Sequence, residues 1–143
     1  MPWLSLNYTT FTIPPTPPFP LGRTVQRPFL AVTLTPANGK SFTCMACVDS
    51  GADDCVFPLA FAFALGLNPL FMKRQNTGGV GNTANLTFYE NITLNFGTGP
   101  FSCYVGFTAG LDAAGIGLLG QLGFLDRFNV ILNRKSGVFQ IEY

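Results

Sequence analysis

Apolar positions recur in short β-type runs from residue 28 onward, separated by turn-forming residues. The stretches PFLAVTLT (28–35) and KSFTCMACV (40–48) are rich in β-branched and aromatic residues, and the Asn38-Gly39 pair between them predicts a hairpin. PLAFAFALGL (58–67) predicts a helix opened at Pro58 and stopped by Gly66 and Pro69, although its Ala-Phe alternation also fits a strand. NLTFYENITLNF (85–96) alternates as a half-buried strand does, and the glycine-rich NTGGVGNTA (76–84) before it reads as a hairpin tip. Further strands are predicted at 100–108, 116–120, 129–133 and 138–143, with a short amphipathic helix over 121–128. The expected class is therefore all-β, mainly antiparallel, with one or two short helices. Two segments, Val48 to Leu65 and Ile116 to Phe128, echo each other loosely as strand, glycine-containing turn and helix.

Residues 1–24 have a different texture. Five prolines in PPTPPFP (14–20) forbid helix and impose an extended path, so 1–24 is expected as a proline-rich arm and 25–143 as one domain. The arm's role is open, with self-inhibition and strapping of a dimer as the candidates. Composition narrows the functions. Only 10% of the 143 residues are charged against 48% hydrophobic, a deficit that suggests an oligomer interface. The net charge of +1 offers no basic stripe for a phosphate backbone, and no apolar run reaches 18 residues, so neither nucleic acid nor membrane is expected as a partner. The start lacks the features of a signal peptide, which leads to the expectation of a cytoplasmic protein with reduced Cys44, Cys47, Cys55 and Cys103. No histidine is present, so acid-base chemistry falls to carboxylates.

The carboxylates are concentrated. CVDSGADD (47–54) places Asp49, Asp53 and Asp54 directly after an apolar strand, where an ionised group must find hydrogen bonds, a cation or a proton. A carboxylate on a sharp turn at a strand end is displayed to a cleft, with Gly51 easing the bend and the Ser50 hydroxyl available to fix the turn. Cys47-Val48-Asp49-Ser50-Gly51-Ala52-Asp53 resembles the apolar-apolar-Asp-[Ser/Thr]-Gly-Ala motif of retropepsin-like aspartic proteases, and Ile116-Gly117-Leu118-Leu119-Gly120 is similar to that family's second apolar-apolar-Gly element. Order, spacing and the intervening glycine-rich hairpin also match, over residues 28–143.

The resemblance implies a retropepsin-like acid protease fold closed by homodimerisation, because one chain carries a single Asp-Ser-Gly element. It implies an aspartic endopeptidase with an acidic optimum and no cofactor or metal, in which water is activated by two Asp49 carboxylates, one per subunit, with peptide or protein as substrate. Asp49, Ser50 and Gly51 would be the catalytic group, with Ser50 gripping across the dimer, and Ala52, Asp53 and Asp54 would bind substrate beneath a flap carrying Gly79, Val80 and Gly81. Exchange of C-terminal strands, here VFQIEY (138–143), would complete the dimer. One departure stands out: the arginine that follows the second element in viral members is Gln121 here, the nearest arginine is Arg127, and the pattern is closer to the cellular branch.

Plainer readings compete. Asp49 can be a turn residue, and Asp53 or Asp54 can cap the helix near Pro58. Gly115 to Gly120 formally matches G-x-G-x-x-G, but no βαβ pattern surrounds it. Cys44 and Cys47 have zinc-knuckle spacing without a second pair. The alternative function is a non-catalytic dimeric peptide-binding module on the same fold.

Overall fold

The computed structural model describes residues 1–78 and 84–143. In chain order the strands are β1 (Trp3–Asn7), β2 (Thr9–Ile13), β3 (Arg23–Arg27), β4 (Phe29–Thr35), β5 (Phe42–Val48), β6 (Val56–Pro58), β7 (Lys73–Gly78), β8 (Ala84–Asn95), β9 (Phe101–Thr108), β10 (Gly117–Leu119), β11 (Asn129–Asn133) and β12 (Val138–Glu142). A single α-helix, α1 (Leu59–Ala64), and two short 3-10 turns complete the secondary structure of the described residues. The all-β expectation therefore holds. The chain forms two compact units, one of residues 30–127 and one made from both chain ends, 1–29 and 128–143.

In the larger unit the strand order is β4-β5-β10-β6-β9-β8-β7. The twelve-residue β8 serves three neighbours: its first half pairs with β7, its last residues pair with β4 on that same side, and β9 runs along its other edge. Pairing of β4 with both β5 and β8 closes six of these strands into a ring, leaving β7 as the outer arm of a hairpin. The core follows from alternation. Val32, Leu34, Ala46, Phe57, Leu94, Val105, Phe107 and Leu119 are at most 1% exposed, and the rings of Phe57 and Phe107 lie 6.3 Å apart. Burying one such side chain contributes about 1.5–3 kcal/mol. Gly117 is required where β10 crosses the core, since a Cβ there would overlap the Phe57 ring.

Helix α1 lies where the sequence predicts it, directly after Pro58 and ending before Gly66, which adopts φ +78°. The helix expected over 121–128 is replaced by turns. Gly123 sits at φ +103° in the middle of that segment, a conformation no helix admits, and bonds such as Leu125 N–H to the Gly120 carbonyl at 3.0 Å wrap the chain tightly instead. All four cysteines are buried free thiols. Among the described residues no helix is long and apolar enough to cross a membrane.

In the smaller unit β12 is the middle strand of an antiparallel sheet, with β1 on one side and β11 on the other. The stretch expected as an arm, 1–24, thus carries β1, β2 and the start of β3, the last two forming their own hairpin. Its prolines surround a tight turn in which Thr16 and Phe19 exchange backbone hydrogen bonds. Phe139 and Ile141 of β12 are fully buried, with Tyr8 edge-on to Phe139 at 5.7 Å. Within this single chain both edges of β12, the strand expected to be exchanged between subunits, are occupied by β1 and β11. The edge strand β11 instead presents Ile131 and Leu132, 48% and 46% exposed.

Candidate active site

The aspartate loop is built from a parallel strand pair. β5 and β10 align Ala46 with Gly117, Cys47 with Leu118 and Val48 with Leu119. The ladder continues past both strands: Asp49 N–H donates to the Leu119 carbonyl at 3.0 Å, Gln121 N–H to Ala52 at 2.8 Å, and Leu122 N–H to Asp53 at 2.8 Å. Residues 49–54 are thereby pinned against 119–122. Such closeness requires Gly120, whose Cβ, if present, would lie 2.5 Å from the Ala52 carbonyl oxygen and closer still to that of Asp54.

Within the loop, Ala52 N–H closes a turn on the Asp49 carbonyl at 3.2 Å. The half-buried Asp49 carboxylate is oriented by the Gly51 N–H, which donates to Oδ1 at 2.9 Å. Gly51 does not adopt a left-handed conformation; what it supplies is room, since a Cβ would sit 3.2 Å from that same oxygen. Ser50 is exposed, and among the described residues its hydroxyl makes no hydrogen bond that fixes the turn. The Ser50 carbonyl does so, by accepting a 2.6 Å hydrogen bond from Gln121 Nε2. Arg127 supplies no cation for the exposed Asp53: its guanidinium reaches the Ser102 carbonyl at 3.5 Å and lies 5.3 Å from the centre of the Phe101 ring.

Asp54 is held differently. Tyr89 Oη donates to Asp54 Oδ2 at 3.1 Å, and the Tyr89 ring stacks on Tyr104 with centroids 5.3 Å apart. Tyr89 can reach across β9 because residue 106 is glycine; a Cβ there would lie 3.2 Å from the ring. Asp54, Tyr89 and Tyr104, with Lys73, Arg74 and Gln75 of β7, line an open depression of about 440 Å³. Burial first, then the Asp54 charge and hydrogen bond, pushes the Tyr89 phenol up from 10.0 to about 12. The folded state therefore keeps the phenol proton more tightly than the unfolded chain, and the associated stability is intact below pH 10 and lost between pH 10 and about 12. Tyr89→Phe is expected to cost about 1–2 kcal/mol at neutral pH and to flatten the stability loss over that alkaline window. Urea titrations of both proteins at neutral and alkaline pH measure both effects.

Of the residues singled out in the sequence, Asp49, Ser50, Gly51, Ala52, Asp53 and Asp54 share this one loop. Gly79, Val80 and Gly81 lie outside the described residues, beyond the Gly78–Ala84 pair of the β7–β8 hairpin. Sequence reasoning did not find Tyr89, Tyr104, Lys73, Arg74 or Gln75. The available signal was Tyr89 in step with Thr87 on an alternating strand, with a glycine on the strand that became its neighbour.

No family model matches the sequence, and no curated protein is significantly similar to it. Solved structures are similar in fold. A retropepsin-like aspartic protease from Rickettsia conorii superposes with a TM-score of 0.59 at 18% identity, covering 92% of this chain and 98% of that one. The EIAV protease, in complex with the inhibitor HBY-793, superposes with a TM-score of 0.51 at 19% identity over 66% of this chain and 82% of that one.

Proposed function

Given a retropepsin-like fold with one Asp-Ser-Gly turn per chain, we propose that this protein is an aspartic endopeptidase whose active unit is a homodimer contributing Asp49 from each subunit. The observation that carries the reading is the presentation of Asp49: a half-buried carboxylate at the end of a core strand, aimed by the Gly51 N–H and backed by backbone hydrogen bonds to the 119–122 segment. One carboxylate takes a proton from water as its oxygen attacks the peptide carbonyl, and a second, protonated, polarises that carbonyl. Collapse of the tetrahedral adduct then breaks the C–N bond and returns a proton to the leaving amine. Two aspartates sharing one proton can do both tasks, so activity is highest in acid and falls as the shared proton is lost.

Substrate would lie extended across the loop. Gly51 and Ala52 offer backbone groups, Asp53 a solvent-facing carboxylate, and Asp54, steadied by Tyr89, a second one beside the depression. The β7–β8 hairpin would be the flap, with Gly79, Val80 and Gly81 at its tip. Self-association is supported by the scarcity of charge and by Ile131 and Leu132 on an edge strand, apolar surface that pairing with a second copy would cover. Incubating the protein with a mixed peptide library from about pH 3 to pH 7 tests the reading. Cleavage confined to the acid half supports it; a dimer that binds peptides without cutting them at any pH identifies the binding-module alternative.

A further inference from the structure

Gln121 directly follows the second apolar-apolar-Gly element, and its side chain is committed to the aspartate turn. The backbone ladder passes over Ser50 and Gly51: Leu119 takes the Asp49 N–H, and the next bonds fall on the carbonyls of Ala52 and Asp53. Gln121 Nε2 fills that gap by donating to the Ser50 carbonyl at 2.6 Å, while its own N–H holds Ala52. The Ser50 carbonyl and the Gly51 N–H are two ends of one peptide unit, which is planar and rigid. The Gly51 end of that unit is the donor to Asp49 Oδ1. Fixing the carbonyl end therefore fixes the N–H end, and with it the direction of the carboxylate.

We propose that Gln121 is a positioning residue, which acts through the Ser50–Gly51 peptide to hold Asp49 in its working orientation. The proposal rests on the peptidase reading above. Its signature is a loss of turnover out of proportion to any loss of stability, because an exposed neutral hydrogen bond contributes little to folding, whereas misplacing a reacting group by about 1 Å costs about 100-fold in rate.

Two variants of the full chain test it against a peptide found by library cleavage. Gln121→Leu keeps the bulk and removes the donor; kcat is expected to fall about 10- to 100-fold, with KM within about twofold and the thermal midpoint nearly unchanged. Gln121→Glu carries a side chain that can donate to the Ser50 carbonyl only while protonated. Its kcat relative to wild type is expected to be near one at about pH 3.5 and to drop at least about tenfold by about pH 6. The ionisable groups on the adjoining segments, Asp49, Asp53, Asp54, Asp126 and Arg127, are present in both proteins, so the ratio reports the added carboxyl and its coupling to them, while Gln121→Leu, which adds no charge, isolates the lost donor. A ratio that stays flat with pH, a wild-type kcat in Gln121→Leu, or a kcat loss that only tracks unfolding overturns the positioning role and leaves the peptidase reading intact. A wild-type chain without turnover overturns both.

Discussion

Asp49→Asn is expected to lower peptide cleavage on the order of 10⁴-fold while leaving the fold, thermal midpoint and self-association as they are. Asparagine keeps the shape of the side chain, and its carbonyl oxygen can still accept the 2.9 Å hydrogen bond from Gly51 N–H, so the turn has no reason to move. Chemistry is what disappears. An amide neither takes a proton from water nor lends one to a carbonyl, and in a symmetric dimer the substitution removes both halves of the acid-base pair at once. Turnover of a library-derived peptide, measured beside a circular-dichroism melt, separates the two effects. Retained cleavage in a folded variant would move the chemistry to another residue.

Gly120→Ala, on the segment that backs the aspartate loop, is expected to be the most damaging single-methyl change at this site, costing about 3 kcal/mol and lowering the thermal midpoint by about 10 °C. The added carbon would overlap two backbone carbonyls, those of Ala52 and Asp54, and neither can rotate out of the way as a side chain can. Relief requires the 119–122 segment to back away from 52–54, which breaks the rungs from Gln121 and Leu122 that hold the loop. Activity should fall with stability. Gly51→Ala is the instructive contrast: its new carbon meets only the Asp49 carboxylate, at 3.2 Å, so a small cost in stability with a larger one in turnover is expected. Differential scanning calorimetry of the two variants distinguishes backbone collision from side-chain crowding.

The central strands and the aspartate turn were legible because their signals are local. An apolar run ending in Asp-Ser-Gly reads as a strand opening into a displayed carboxylate, and β5 does end at Val48, immediately before Asp49. Helix α1 was readable for the same reason, from Pro58 and Gly66 on either side of it. What escaped was set by distant pairings. Nothing in the periodicity of 116–120 says that it lies parallel to 46–48, and the Gln121 amide is 71 residues from the carbonyl it braces. The amphipathic pattern over 121–128 was real but was overridden by Gly123, whose positive φ local periodicity does not register. Likewise, the pairing of the two chain ends carries no local signal, because the β1–β12 register joins Trp3 to Glu142 across nearly the whole sequence.

The measurement that bears most directly on a shared active site is subunit mixing. Wild-type chain is refolded together with an about ninefold excess of Asp49→Asn chain, and cleavage is compared with the same amount of wild type refolded alone. If each active unit needs Asp49 from two subunits, random pairing leaves few wild-type pairs, and activity per wild-type chain falls to about one tenth. Activity that stays proportional to the wild-type chain present, with mixed dimers verified by mass, would contradict the shared dyad and place a complete site within one subunit.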